Sequence, residues 1–255
     1  MRPIYFAHAN GFPAESYQCF FKHLSGFRVD YIPVLGRANI PKSHGITHLA
    51  KEIIADVQRR YDAPVTAMGH SAGAMALLVA NGMQPGLFDK LILLEPAFFH
   101  PLKRRGIELL RAIGLMDLLP IVKRAKNRRE LFGSRAEAEE YFLQRPFFRS
   151  FHPECFQNYL EYALAEENGK IRLRISAGEE AAVYRAVHTR LPKAMNNLDA
   201  LFIYGAKTRM LNEMDIFWWQ KRFPNIPVRA INEGGHMFPL EVPAETAEVI
   251  KDFLN

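Results

Sequence analysis

Cysteine is scarce: Cys19 and Cys155 are the only two among 255 residues. They stand far apart, with neither a metal-binding spacing nor a disulfide framework, so both are expected to be packed, reduced thiols. No apolar run is long enough to span a bilayer, and no membrane partner is expected. Met1 to His8 carry no charged leader, sustained apolar stretch or cleavage pattern, which makes the cytoplasm the expected address. The Gly-x-Gly-x-x-Gly and phosphate-loop patterns are missing, which weighs against dinucleotide and nucleotide chemistry. His44 and His48 stand four apart, but no Glu-bearing zinc motif or third ligand accompanies them. Neither a metal nor a cofactor is expected. Internal repeats and low-complexity stretches are also lacking.

The chain is 49% apolar and 12% aromatic, enough for one substantial core with one insertion. Short apolar runs at Ile4 to Ala7, Arg28 to Val34, Pro64 to Met68, Leu91 to Leu94, Asp199 to Tyr204 and Val228 to Ile231 read as strands. Helical spacing separates them at Ile46 to Tyr61 and Ala74 to Ala80, and follows the last at Pro243 to Leu254. This alternation predicts an α/β fold, with a doubly wound, mostly parallel sheet of about six strands. With the first strand almost at residue 1, no antiparallel hairpin is expected to open the sheet.

Gly69-His70-Ser71-Ala72-Gly73 is a G-x-S-x-G segment between a strand and a helix, the setting of a nucleophile elbow. Its glycines lack the Cβ atoms that would collide with neighbouring backbone on so tight a turn, and the new helix aims its positive end at Ser71. Asn10-Gly11-Phe12-Pro13 follows the first strand, and Gly234-Gly235-His236 precedes the last helix. All three lie beyond strand ends that face one way in a parallel sheet. A serine, a histidine and backbone amides gathered there make an acyl-transfer site.

On these residues the chain resembles the α/β-hydrolase-fold serine hydrolases of the esterase and lipase superfamily. The resemblance spans nearly the whole chain, with Asn10 where relatives carry the histidine of a His-Gly-x-Pro loop and His8 two residues earlier. It implies Ser71 as nucleophile, His236 as general base, and an oxyanion hole from the backbone N–H groups of Phe12 and Ala72. The His70 side chain is expected to point into the scaffold. The slot where relatives often place an aspartate, after the penultimate strand, holds Thr208. Glu95, following the strand after the elbow, is the best replacement for the acid, ahead of Asp215 and Glu213. The implied activity is cleavage of a small-molecule carboxylic ester or thioester through an acyl-enzyme. The absent aspartate leaves a second reading, a catalytically impaired binding or signalling module on the same fold.

Residues 96–198 break the strand and helix alternation where this family inserts a cap, leaving 1–95 and 199–255 as the core. A helical cap is expected, with the rings of Tyr141, Phe142, Phe147, Phe148, Phe151, Phe156, Tyr159 and Tyr162 mostly in its packing. Residues 103 to 129 hold nine Lys/Arg against Glu108 and Asp117, a net +7 in a chain of formal charge +6. This surface suits an acidic acyl carrier protein as substrate carrier. Nucleic acid is not expected, because no recognition motif accompanies the charge.

Overall fold

Why the apolar runs become strands is plainest at Leu91 to Leu94, each at most 1% exposed in a computed structural model of the chain. A parallel strand covered by helices on both faces must be apolar on both. The structure describes residues 1–36, 45–187, 190 and 198–255. His44 lies outside them, so the pairing of His44 with His48 is not placed.

From the N-terminus the elements are β1 (Arg2–Ala7), α1 (Gln18–Lys22), β2 (Phe27–Tyr31), α2 (Gly45–Arg60), β3 (Val65–His70), α3 (Ala72–Met83) and β4 (Phe88–Leu94). Then come α4 (Pro101–Ala112), α5 (Pro120–Lys126), β5 (Leu131–Phe132), α6 (Arg135–Leu143), α7 (Pro146–Arg149), α8 (Pro153–Ala163), β6 (Leu164–Glu167), β7 (Lys170–Leu173) and α9 (Ala177–Arg185). β8 (Ala200–Gly205), α10 (Glu213–Arg222), β9 (Val228–Ile231), α11 (Phe238–Glu241) and α12 (Pro243–Leu254) complete the chain.

The main sheet has six strands in the order β2-β1-β3-β4-β8-β9, every pair parallel. Its register aligns the C-terminal ends: Ala7 pairs with Gly69, His70 with Leu94, and Gly205 with Ile231. Strand order reverses at β1, whose neighbours β2 and β3 lie on opposite sides. That switch point opens the crevice where such sheets bind ligands. One apolar cluster packs α2 and α3 on one face through Leu49, Ile53, Val57 and Leu77. Another covers the opposite face with α1, α12 and the aromatic part of the insertion. β2 ends at Tyr31, short of the expected Val34.

Between β4 and β8 the strand and helix alternation stops, as anticipated, although 188–189 and 191–197 lie outside the described residues. The insertion is mostly helical but also holds strands. β5, β7 and β6 form a small antiparallel sheet beside the helices. Asn168 and Gly169, both at positive φ (52° and 72°), join β6 to β7. Two left-handed residues are what a two-residue hairpin with the right-handed twist of its strands requires. Of the expected ring cluster, Phe142, Phe148, Phe151, Phe156 and Tyr159 are buried core, whereas Phe147 is exposed. The ring of Phe12 packs on Tyr159 at 5.1 Å and Phe151 at 6.1 Å, so the insertion rests directly on the loop after β1.

Candidate active site

Ser71 sits at φ 54°, ψ −113°, between β3 and α3. A non-glycine residue there carries roughly 1–3 kcal/mol of strain, which the surrounding packing must hold. The flanking glycines permit the turn. A Cβ on Gly69 would come within 2.7 Å of the Ala74 nitrogen, and one on Gly73 within 2.1 Å of the Ala7 carbonyl oxygen. The Ser71 N–H donates to the Leu94 carbonyl at 2.9 Å, extending the sheet ladder to Ser71 itself.

The loop after β9 brings His236 to Ser71, with Nε2 3.1 Å from Oγ. Its other nitrogen, Nδ1, lies 3.0 Å from Glu95 Oε1. An ionised carboxylate only accepts, so the proton sits on Nδ1 and leaves the Nε2 lone pair to take the Ser71 hydroxyl proton. Glu95 is fully buried at φ 43°, and its N–H is anchored to the Ile203 carbonyl at 2.7 Å. Two further donors hold its carboxylate. The Gly205 N–H gives to Oε2 at 3.0 Å, and the Thr208 hydroxyl gives to Oε1. Thr208, in the slot where relatives often carry an aspartate, thus donates to the carboxylate that lies beside His236. Asp215 is elsewhere, receiving the N–H groups of His100 and Asn212 at the start of α10, and Glu213 is exposed beside it. Gly205 has a spatial role as well, since a Cβ there would lie 2.1 Å from the Gly235 carbonyl oxygen and push the His236 loop away.

Ala72 is the first residue of α3, and a first-turn N–H has no carbonyl one turn back to serve. The Phe12 N–H differs from expectation. It donates to the Ala9 carbonyl at 3.2 Å, closing a turn, rather than standing open to the site. The same carbonyl accepts from His8 Nδ1 at 2.8 Å, while His8 Nε2 accepts the Leu35 N–H at 2.7 Å. His8 is therefore neutral by its partners, and burial drives its pKa down to about 4 despite the Ala9 bond. The Asn10 side chain donates to the Glu180 carbonyl at 2.9 Å, tying the loop to α9.

His70 points into the scaffold, as expected. It accepts from the Tyr17 hydroxyl at 2.7 Å and donates from Nε2 to the His236 carbonyl at 2.9 Å. Burial, with His236 close by, holds its pKa well below the ordinary range. A neutral imidazole thus braces the main chain of His236. Glu241 accepts the Gly235 N–H from the other side of the loop. Neither brace carries a sequence motif; both depend on where loops cross in space.

His8 yields a prediction with a definite sign. Its folded pKa lies below the ordinary 6.5, so the unfolded chain binds more protons and stability falls as pH drops from about 6.5 to 4. This one group should contribute about 3 kcal/mol of that loss. Urea titrations at pH 7 and 4 should show a smaller pH difference for His8→Gln than for the unaltered protein. Equal differences would remove His8 from the acid response.

Cys19, Cys155 and His152 converge, their ligand atoms all within 4.8 Å of one another, although the sequence spacing hid them. Burial pushes both thiols up, favouring the protonated forms that a packed pair needs and a metal would have to displace. The basic segment is also changed by the fold. Arg128 does not face solvent: its guanidinium pairs with Glu180 at 2.5 Å and donates to the Tyr159 hydroxyl, against Gly11.

Known proteins share this architecture. A protein named peroxisomal membrane protein LPX1 of Saccharomyces cerevisiae is 24% identical over 204 residues, 74% of this chain and 52% of that protein. The chain thus spans about half the length of this curated relative. The solved structure of the peroxisomal alpha-beta-hydrolase Lpx1 superposes with a TM-score of 0.77 at 18% identity, covering 99% of this chain and 75% of that one. E-2-(acetamidomethylene)succinate hydrolase gives 0.79 at 18% identity, over 99% and 91%. A thioesterase domain from the curacin biosynthetic pathway gives 0.78 at 17%, over 98% and 91%. The profile of the Alpha/beta hydrolase family runs from residue 4 to 249, taking in the elbow, the Glu95 turn and the His236 loop in the order that brings them together. The chain belongs to the Alpha/beta hydrolase family.

Proposed function

We propose that this chain is a hydrolase that cleaves a carboxylic ester or thioester through an acyl-enzyme on Ser71. The observation that carries the reading is the continuous hydrogen-bond chain from Ser71 Oγ through His236 to a buried carboxylate, Glu95. In the first half-reaction Oγ attacks the carbonyl carbon as its proton passes to His236 Nε2. The imidazolium is balanced by Glu95. The oxyanion takes the Ala72 N–H and, as second donor, the Phe12 N–H, which must share its hydrogen with the Ala9 carbonyl or leave it. That carbonyl would keep His8 as partner. Collapse expels the alcohol or thiol, which takes the proton from Nε2. Water, deprotonated by the same nitrogen, then releases the carboxylic acid and restores Ser71.

The impaired-module reading rested on Thr208 in the aspartate slot, and a carboxylate 3.0 Å from His236 weighs against it. A thioester variant of the substrate has some support in the similarity to a thioesterase domain.

Short- and medium-chain p-nitrophenyl esters, the matching acyl thioesters and a fluorophosphonate probe test the proposal together. Turnover with a mass increase on Ser71 is expected. Inertness toward both ester classes and the probe would return the chain to the binding-module reading.

A further inference from the structure

We propose that the outer face of α4 and α5, with the turn between them, is a docking surface for an anionic phospholipid bilayer. The proposal does not depend on the reaction at Ser71.

Its first ground is an amphipathic helix turned outward. Leu102 and Leu109 of α4 and Ile113 at its C-cap recur at intervals of seven and four, which places them on one stripe at 3.6 residues per turn. The apolar stripe of a helix in a folded domain ordinarily faces the core. Here these three are 63%, 62% and 56% exposed, and Ile107, on a different face, is the residue that packs inward. The exposure continues through the next two elements. Leu115 and Leu118, around the 3-10 turn at Met116–Leu118, are 42% and 51% exposed, and Ile121 of α5 is 37% exposed. The inward side of α5 is occupied, since Val122 and Ala125 pack against Ala181 of α9. Six large aliphatic side chains within twenty residues thus face water on consecutive elements, although a monomeric domain rarely leaves so much apolar surface together.

The second ground is charge. Arg105, Lys123 and Arg124 are exposed on the same elements, whereas Lys103 pairs with Asp215, Arg104 lies over the rings of Phe98 and Trp218, and Arg111 donates to the Val187 carbonyl. The sequence from 102 to 124 holds six cations against Glu108 and Asp117, and Asp117 is itself paired with Lys126 and Arg185. Aliphatic side chains flanked by Lys and Arg, on a helix of low overall hydropathy, are the chemistry of a helix lying in the membrane interface. The cations meet anionic headgroups and the leucines reach the acyl boundary.

Other occupants fit less well. An acidic carrier protein would pair the cations but leave the leucines and isoleucines against its polar surface. A second copy of the chain would bury the aliphatic residues but bring two net-positive faces together. A bilayer satisfies both. Sequence alone suggested no membrane partner, because α4 is far too short to span one, and among the described residues no helix is long and apolar enough to do so. Lying on a membrane requires a face, not a length.

Co-sedimentation of the full chain with vesicles of phosphatidylcholine alone, or with about a third phosphatidylserine, tests the surface. Binding to the anionic vesicles is expected, weakening at least severalfold between roughly 50 and 500 mM salt as the headgroup attraction is screened. Leu109→Asp with Ile113→Asp should reduce binding more than tenfold while leaving melting temperature and turnover of a soluble short-chain ester unchanged. Arg105→Glu with Lys123→Glu should abolish the preference for anionic vesicles. As a check that requires no loss of function, Leu109→Trp should show a blue-shifted emission on adding anionic vesicles. No binding to either vesicle, an unshifted tryptophan, or undiminished binding by the double-aspartate variant would overturn the proposal. So would a dimer in sedimentation velocity that the double-aspartate variant dissolves, or salt-sensitive turnover of a carrier-borne thioester without vesicle binding.

Discussion

Ser71→Ala is expected to lower kcat for ester hydrolysis about 10^5- to 10^6-fold while the chain stays folded. The size follows from how the parts work as a unit: without Oγ there is no acyl-enzyme, and the proton acceptor 3.1 Å away has nothing to activate. Residual turnover would come from the remaining amide donors and from binding alone. Folding should survive because the Ser71 side chain does not cap α3, and its backbone N–H bond to Leu94 is kept by alanine. His236→Ala should cost nearly as much, and the double variant little more than either single one, because neither group acts without the other. Single-turnover kinetics and intact-mass labelling with a fluorophosphonate check this. More than a tenth of normal turnover in Ser71→Ala, or additive losses in the double variant, would mean that the reaction does not pass through this serine.

The elbow, the histidine loop and Glu95 were legible in the sequence for a common reason. In a parallel sheet, strand ends fall on one side, so residues following different strands become neighbours without any knowledge of the loops between them. That argument cannot reach contacts made by loop geometry. Thr208 read as a missing acid because its identity was visible and the direction of its hydroxyl was not. The brace from Tyr17 through His70 to the His236 carbonyl was hidden likewise. The Ala9 turn that occupies the Phe12 amide depends on the φ and ψ of Asn10 and Gly11, which residue types alone do not set. One miss had a local signal: Asn168-Gly169 between Leu164 and Leu173 is a strong hairpin sequence, overlooked amid helical text. The stripe on α4 went unread in the sequence, and spacing alone does not say whether a stripe faces a core or solvent. Arg128 shows the same limit for charge, since counting cations does not tell which are drawn inward.

Glu95→Gln tests the displaced acid and is expected to cost about 10^3- to 10^4-fold in kcat, on the scale of acid-to-amide changes in other triads. The amide keeps the size of the side chain and can still accept from the Gly205 N–H. It can also turn its NH2 toward His236 Nδ1, which would force the proton onto Nε2 and leave no lone pair for Ser71. It carries no charge to balance the imidazolium. Thr208→Ala should be far milder, within about tenfold, because it removes one of three donors to a carboxylate that keeps Gly205 and His236. The deciding variant combines Glu95→Gln with Thr208→Asp. The Thr208 hydroxyl already touches the oxygen that faces His236, so an aspartate there would return a carboxylate to the same neighbourhood from the strand that usually supplies it. Recovery of at least tenfold in kcat over Glu95→Gln, with KM little changed, is expected if the carboxylate acts by orienting and balancing His236. If Glu95→Gln instead lowers activity only in proportion to a loss of folded protein, and Thr208→Asp restores nothing, then Glu95 serves the packing of β4 against β8 and His236 works without an acid.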